Sequence, residues 1–180
     1  MKRLLRGFCG WVVFAVVIWI VPAWWCRRGA DRWMDDDAAS QAKFAATVES
    51  RVLKSVTLEH FNTGNPQFDG EWLFGSYLMA GFGYAQLAAR HPASAEANIR
   101  RAEDCIERIL TPRVRQFDRA SWRGTDPLEA LGTKQDHAAY LGLLNLLLGV
   151  VRSVHPATRY AELNDRITRH LVDRIHDSPI

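Results

Sequence analysis

The chain has 180 residues, enough for one ordinary domain with a hydrophobic core. Its formal net charge is only +3, and its arginines are scattered along the sequence, which argues against a nucleic-acid-binding surface. The 7 Trp, 8 Phe and 4 Tyr indicate a protein that buries aromatic side chains or lines a pocket with them.

The amino-terminal segment, residues 1–29, predicts a membrane anchor. Residues 7–25 (GFCGWVVFAVVIWIVPAWW) carry no charge and approach the roughly 20 apolar residues that cross a bilayer as a helix. Basic residues flank both ends, and Trp24 and Trp25 are typical of a membrane interface. Bulky and basic residues occupy the region where small residues would mark a signal-peptidase site. We therefore prefer an uncleaved anchor to a cleaved signal peptide.

The predicted topology is a single pass through the inner (cytoplasmic) membrane. The short basic amino terminus is expected to stay in the cytoplasm, which places residues 30–180 outside it. Cys105 is the one cysteine beyond the anchor region, so the sequence contains no intrachain disulfide framework there.

Residues 30–59 are predicted to form an amphipathic linking segment, with a helix over 31–56. Three consecutive aspartates, residues 35–37, precede its apolar positions. The run superficially resembles a metal or diphosphate box, but adjacent side chains on a helix point in different directions. We interpret it as a solvated helix start that is favoured by the helix dipole.

One pattern then occurs twice within residues 60–180. A run that is apolar almost all the way round, residues 71–90, is followed by the turn HPAS and a one-sided amphipathic segment, 95–110. A second apolar run, 136–154, is followed by HPAT and a second amphipathic segment, 159–175. The two HPA motifs lie 64 residues apart, which predicts a repeat.

This repeat predicts an all-α fold in which the transmembrane helix precedes antiparallel helical hairpins that form an incomplete α/α toroid. The two apolar helices are expected to be inner helices, buried on every side, and backed by the amphipathic ones. The alternative is a polytopic membrane protein in which 73–89 and 138–151 are further spans. The second of these is short for a bilayer.

In a toroid the inner helices run parallel, so their amino-terminal ends emerge on one face. That geometry would bring Asp69 and Glu71, which begin the first inner helix, beside Asp136 and His137, which begin the second. Carboxylates and an imidazole distant in sequence would then converge at one mouth.

The stretch QFDGEWLFGSY, residues 67–77, contains the first candidate catalytic residues. Asp69 suits an N-cap and Glu71 suits the first turn of a helix, so a structural role for both stays open. Held among aromatic side chains, either carboxylate could act as a general acid or base. Tyr77 follows Glu71 by nearly two turns and could polarise a substrate oxygen. Trp72 is predicted to line the substrate pocket.

The stretch QDHAAY contains the second set. Asp136 is a plausible N-cap, and His137 could transfer protons near neutral pH or serve only as a capping or surface residue. Tyr140 is expected near His137, and with Trp122 it is predicted to contribute to the substrate pocket. Asp126, which precedes a proline, is interpreted as a structural N-cap. The histidines lack metal-site spacing, and no cofactor-binding motif occurs, so neither a metal nor a cofactor is predicted.

With these residues in place, the sequence resembles the linalool dehydratase-isomerase-like family of (α/α)6-barrel proteins. The resemblance rests on FDGEWLFGSYLMAGFGYAQLA, AEDCIERIL, DHAAYLGLLNLLLG and LNDRI, and it covers residues 60–176. It implies cofactor-free removal of a hydroxyl group or rearrangement of an alkenol at the barrel mouth. Asp69 or Glu71 with Tyr77 would form the acid/base set, and His137 would polarise the substrate.

The chain departs from the family in two respects. Six hairpins need roughly twice its length, and the family's catalytic cysteines have no match, because Cys105 falls on an outer helix. The sequence is therefore expected to be part of a longer protein, or to complete its helical layer by self-association or with a partner chain. The expected function is a lyase or isomerase acting on an alcohol-type or carbohydrate-type small molecule. The alternative is a non-catalytic, membrane-anchored scaffold.

Overall fold

The computed structural model describes residues 2–34 and 37–177. Helices account for 79% of the chain and no strand occurs in these ranges, which confirms the all-α prediction. Asp35 and Asp36, two members of the acidic run, lie outside the described residues. Asp37 begins the following helix, because its carboxylate accepts a hydrogen bond from the Ser40 amide at 3.1 Å.

The α-helices follow one another along the chain with short connections, except before α3 and between α5 and α6. Their bounds are α1 (Lys2–Met34), α2 (Ala38–Val48), α3 (Pro66–Arg90), α4 (Ala95–Ile109), α5 (Pro112–Ser121), α6 (Ala138–Val154) and α7 (Ala161–Asp177). A π-helical turn, Glu49–Leu53, extends α2, and short 3-10 turns occupy Leu58–His60 and Pro92–Ser94.

The chain divides into an amino-terminal unit that ends at Phe44 and a second unit that begins at Ala45. The division falls inside the segment 30–59 that we expected to link anchor and hairpins. The single helix predicted over 31–56 is wrong in its bounds. The first helix instead continues to Met34, and a separate helix begins at Ala38.

The amino-terminal unit contains the apolar helix that the sequence predicts. Within α1, the segment Gly10–Asp31 is 22 residues long, has a mean hydropathy of 1.6 and is exposed throughout. Length and composition therefore suit a membrane span, although a signal sequence has the same properties. Within the described ranges no other helix meets both requirements, and α6 is apolar but has only 17 residues.

In the second unit, α3 and α6 end in the same way. His91 follows α3 with φ −123° and ψ 83°, and its amide donates to the Leu87 carbonyl. His155 follows α6 with φ −139° and ψ 78°, and its amide donates to the Val151 carbonyl. Each histidine carbonyl then accepts from the amide three residues later at 3.0 Å. The repeated HPA motif therefore builds the same turn twice, 64 residues apart.

Each of these helices packs along the helix that follows its HPA turn, in the opposite direction. Gly81 of α3 lies against Cys105 of α4, while Tyr84, further along α3, faces Arg101, which is earlier in α4. Between α6 and α7, Asn145 bonds to Thr168, and Arg152 pairs with Asp165.

By contrast, α3 and α6 run in the same direction. The Phe74 and Tyr140 rings lie 5.1 Å apart, and a Cβ atom on Gly81 would lie 3.0 Å from the Leu147 methyl groups. Seven residues separate the contacts on each helix, so the two helices advance together. Because Gly81 has no side chain, Leu147 can pack directly against the α3 backbone.

The expectation that α3 and α6 are buried on every side is wrong. Phe68, Trp72 and Met79 on α3 are 51%, 61% and 67% exposed, and Leu143 and Leu146 on α6 are 43% and 57% exposed. In the second unit, α3 packs against α4, α5, α6 and the short turns on either side of it, and α6 packs against α3, α4 and α7, yet one side of each helix keeps these large apolar side chains exposed. We call these five side chains the apolar face.

Two glycines of α3 provide a matched test of this packing. A Cβ atom at Gly70 would lie 2.5 Å from Phe117 Cβ on α5, whereas a Cβ atom at Gly75 would meet nothing within 4 Å. We expect Gly70→Ala to lower the free energy of unfolding by about 1–3 kcal/mol through overpacking. Gly75→Ala should instead raise it by up to about 1 kcal/mol through helix propensity. Urea unfolding of both variants in detergent tests this, and equal effects would contradict the α3–α5 contact.

Candidate functional site

The amino-terminal ends of α3 and α6 meet at α5. The Phe117 ring of α5 lies 5.5 Å from Phe74 and 6.3 Å from Tyr140. At the carboxyl-terminal end of α5, the Ser121 hydroxyl accepts a hydrogen bond from the Gln67 side chain at 2.9 Å. The segments 67–77 and 136–140 are therefore neighbours, with an aromatic cluster between them.

At the start of α3, the carboxylates do not occupy the positions that the sequence suggested. Asn65 is the N-cap, because its side chain accepts from the Gln67 amide at 2.9 Å and Pro66 begins the helix. The N-cap assignment of Asp69 is thus wrong. Its carboxylate instead accepts from the Thr63 amide and hydroxyl at 2.9 and 2.8 Å, which ties the preceding loop to the first helical turn. Glu71 and Trp72 are exposed.

The two candidate tyrosines are buried, and their hydroxyl protons are engaged. Tyr77 donates to the Val56 carbonyl at 3.1 Å, and Tyr140 donates to the Ile109 carbonyl at 3.0 Å. Burial raises the pKa of both hydroxyls above the ordinary range. These contacts attach α3 and α6 to neighbouring backbone, so neither hydroxyl is placed to polarise a substrate without giving up a buried hydrogen bond.

Asp136 is engaged by the last helix of the chain. Its carboxylate pairs with Arg174 of α7, with 2.5 Å between Oδ1 and Nε. The residue at the N-cap position of α6 is His137, so the N-cap assignment of Asp136 is also wrong. His137 has φ 43° and ψ 29°, a left-handed conformation that costs a residue with a Cβ atom roughly 1–2 kcal/mol.

This backbone conformation accompanies a fully buried imidazole with a carboxylate partner. His137 is 0% exposed, and its Nδ1 lies 2.5 Å from Oδ2 of Asp118 on α5, which is 5% exposed. The Trp122 ring stacks on the imidazole with 4.7 Å between centroids and 28° between planes. Burial raises the pKa of Asp118, while the hydrogen bond with His137 opposes that shift.

Asp118 is the functional candidate that the sequence did not identify as the partner of His137. The two residues are 19 positions apart and belong to an α-helix and a loop, so no periodicity links them. Trp122, predicted as a pocket wall, is placed one turn beyond Asp118 and contacts His137 directly. The stretch FDRASW, residues 117–122, contains both Asp118 and Trp122, but the sequence does not show which side chain they would face.

Asp126 stabilises the backbone next to this pair. It accepts from the Leu128 amide at 2.9 Å and pairs with Arg115 of α5 at 2.9 Å. Residues 127–130 form turns rather than a helix, so the prediction that Asp126 caps a helix is wrong. The aspartate instead fixes the beginning of the α5–α6 connection to the helix that carries Asp118.

Among the described residues, three buried side-chain atoms lack a hydrogen-bond partner: Gln135 Oε1, His137 Nε2 and His170 Nε2. All three belong to the α5–α6 connection or contact it, because the Gly132 amide donates to His170 Nδ1 at 3.2 Å. A buried polar atom without a partner costs free energy, and such atoms concentrate where a ligand or an ordered water binds.

The arrangement of His137 has a defined chemical consequence. If the Asp118 carboxylate accepts the Nδ1 proton, the neutral imidazole carries its lone pair on Nε2, where it can accept a proton. This is how a carboxylate orients a histidine that acts as a general base. In the described part of the chain, His, Cys, Asp and Glu side chains form no group of three that could hold a metal ion.

No protein-family model matches the chain, and no curated protein or solved structure matches it.

The two buried histidines should occupy opposite neutral tautomers. His137 should carry its proton on Nδ1, facing Asp118, and His170 should carry its proton on Nε2, because its Nδ1 accepts from Gly132. Long-range ¹H–¹⁵N correlation spectra of ¹⁵N-histidine-labelled protein distinguish the two. Asp118→Asn should loosen the preference at His137 and leave His170 unchanged. An Nδ1 of His137 that carries no proton while Nε2 is protonated would contradict the orientation by Asp118.

Proposed function

We propose that the chain is a membrane-anchored helical scaffold of α/α-toroid type, and that its apolar face binds an apolar partner. The observation that carries the proposal is the exposure of large side chains such as Trp72, Met79 and Leu146 along two adjacent helices. Soluble monomers rarely expose large contiguous apolar surfaces, and such surfaces mark interaction sites or binding grooves.

The directions of the helices support the toroid arrangement. The pairs α3–α4 and α6–α7 are two hairpins in this proposal, with α3 and α6 as parallel inner helices. Trp72 is turned by about 180° around α3 from Gly81, which faces α4 and α6, and Leu143 is turned by about 200° around α6 from Asn145, which faces α7. On α3 the apolar face therefore lies opposite the hairpin partner, and on α6 it is turned by about 100–200° from the side that faces α7.

In this proposal α1 is an uncleaved, single-pass anchor in the cytoplasmic membrane. The second unit then lies outside the cytoplasm, as the basic amino terminus suggests. The exposure of the whole apolar segment of α1 supports a lipid environment, because in water each of these side chains would lie in unfavourable contact with solvent.

The proposal is tested by the accessibility of the apolar face in membranes. In a background without the native cysteines, single cysteines are placed at Trp72 and at Leu146. A third variant with a single cysteine at Glu96, which is exposed on α4, is the matched control. We expect a water-soluble maleimide to react with the Trp72→Cys and Leu146→Cys variants at least about ten-fold more slowly than with Glu96→Cys, because a covered interface excludes water. Equal rates at the three positions would show that nothing covers the face.

A second candidate function is acid/base catalysis, and the unpartnered Nε2 of His137 favours it specifically. In this proposal Asp118 orients His137, which acts as a general base in a cofactor-free lyase or isomerase, as the resemblance to the linalool dehydratase-isomerase-like family implies. The apolar face would then line the cavity for an alcohol-type substrate. A carbohydrate-type substrate fits less well, because the side chains that would line it are apolar.

Turnover tests this second candidate. Purified protein in detergent is incubated with an allylic alcohol, and the diene or isomer is measured by gas chromatography. His137→Ala should lower turnover by about 10²–10⁴-fold, the usual contribution of a general base. His155→Ala, at the turn after α6, serves as the control and should retain it. Equal turnover in both variants, or none in the unmodified protein, would remove the catalytic assignment.

A further inference from the structure

The exposed sides of α3 and α6 form one continuous surface. Because the two helices are parallel, opposite rotations from their facing positions point to the same side of the pair. On α3, Phe82 and Met79 are turned by about 100° and 160° from Gly81, which faces α6. On α6, Leu146 is turned by about 100° in the opposite sense from Leu147, which faces α3. The apolar face therefore continues across both helices, with the half-buried Phe82 between its two parts.

This surface carries no charge and offers few polar groups to a partner. No charged residue occurs in residues 72–89 of α3 or 138–151 of α6. The Ser76 hydroxyl donates to a carbonyl of its own helix, Asn145 bonds to α7, and Gln86 is exposed only near the carboxyl-terminal end of α3. Protein–protein interfaces contain about one hydrogen bond per 100–200 Å². The apolar face therefore suits a hydrocarbon phase better than a protein surface.

The chain itself keeps this surface close to a bilayer. The apolar segment of α1 ends at Asp31, and the second unit begins at Ala45. Only 13 residues separate the two, so they lie within about 50 Å of each other even when the chain between them is fully extended. Binding to the bilayer that contains α1 would be intramolecular, and a high effective concentration strengthens such a contact.

We propose that the apolar face docks on the bilayer that contains α1, at the boundary between headgroups and acyl chains. This inference rests on the proposed function and names the apolar partner as lipid. Side chains docked in this way enter the boundary by about 5–10 Å. Trp72 suits the headgroup level, as tryptophans at membrane interfaces do, while Met79 and Leu146 enter the acyl chains.

The same orientation keeps the charged helix α4 in water. Tyr84, which faces Arg101 of α4, is turned by about 60° from Gly81 in the sense opposite to Phe82. The helix α4 therefore lies on the side of α3 that is opposite the apolar face, and seven of its 15 residues are charged. The second unit thus has an uncharged side and a charged side, as an amphipathic helix at a membrane interface has.

Fluorescence quenching tests the docking in vesicles that contain the purified full chain. The single-cysteine variants Trp72→Cys, Leu146→Cys and Glu96→Cys are labelled with bimane in detergent and reconstituted at high lipid excess, so that two copies rarely meet. The vesicles contain phosphatidylethanolamine, phosphatidylglycerol and a phosphatidylcholine that carries a nitroxide near the start of one acyl chain. We expect quenching at Trp72 and Leu146 to be at least about five-fold stronger than at Glu96, because only a docked label comes near the nitroxide.

A charge placed on the apolar face should weaken the docking. Met79 is exposed, so Met79→Asp does not alter the core, but it places a carboxylate among acyl chains. In the Leu146→Cys background, Met79→Asp should lower the quenching by at least about three-fold, since a charge in hydrocarbon is unfavourable. Met79→Leu is the matched control and should leave the quenching unchanged. Quenching that persists in Met79→Asp would contradict the use of this face.

The outcomes distinguish the two proposals. Strong quenching at Trp72 and Leu146 that Met79→Asp weakens supports lipid as the partner. If quenching at both positions does not exceed that at Glu96 while Trp72→Cys remains shielded from maleimide in membranes, the partner is a protein and only this inference fails. If neither quenching nor shielding occurs, both proposals fail.

Discussion

The close parallel packing of α3 on α6 is the contact on which the rest of the second unit depends. Gly81 favours it, because a Cβ atom at this position would lie 3.0 Å from the Leu147 methyl groups, which is tighter than an ordinary packing contact. Once the two helices are parallel, α4 and α7 cover their outer sides, and α5 closes their amino-terminal ends through Phe117. The same arrangement leaves the apolar face without a neighbour, which is why an internal packing constraint leads to a proposal about binding.

The buried pair of Asp118 and His137 depends on this scaffold in a different way. The helix α6 begins directly after His137, and the left-handed conformation of that residue directs its ring toward α5 and Trp122. The second candidate function therefore needs this pair as well as the apolar face, whereas the scaffold function needs the apolar face alone. The pair lies at the amino-terminal end of α6, whereas the apolar face extends along α3 and α6.

Much of the fold could be predicted from the sequence, because long apolar runs and a repeated turn motif are local signals. The helical character of 71–90 and the equivalence of the two HPA turns follow from such signals. The apolar run predicts a helix from residue 71, but α3 begins at Pro66 after the N-cap Asn65, because Asn, Gly and Pro residues before the run are equally typical of a loop. An incomplete toroid is expected to expose its inner helices, but which side chains stay exposed could not be predicted, because a helix that is apolar all round does not reveal how many neighbours it has.

The site was less predictable than the fold. Their residue types identify His137 and Trp122 as candidates. The choice of Asp118 over Asp136 as the partner depends on the left-handed backbone of His137, and no glycine at that position indicates this conformation in the sequence. The spacing of Tyr77 and Tyr140 predicts roles in the site, yet their hydroxyls bond to main-chain carbonyls that are distant in sequence. Spacing identifies a shared helix side, but it does not identify what faces that side.

The parallel packing of α3 and α6 is the central claim, and a pair of distances tests it most directly. Spin labels at Trp72→Cys and Ala139→Cys report the distance between the amino-terminal ends of α3 and α6. Labels at Trp72→Cys and Ser153→Cys report the distance from the amino-terminal end of α3 to the carboxyl-terminal end of α6. Pulsed electron paramagnetic resonance should give a longer distance for the second pair by more than about 10 Å, since α6 rises about 1.5 Å per residue between the two label sites. A first distance equal to or longer than the second would contradict the account.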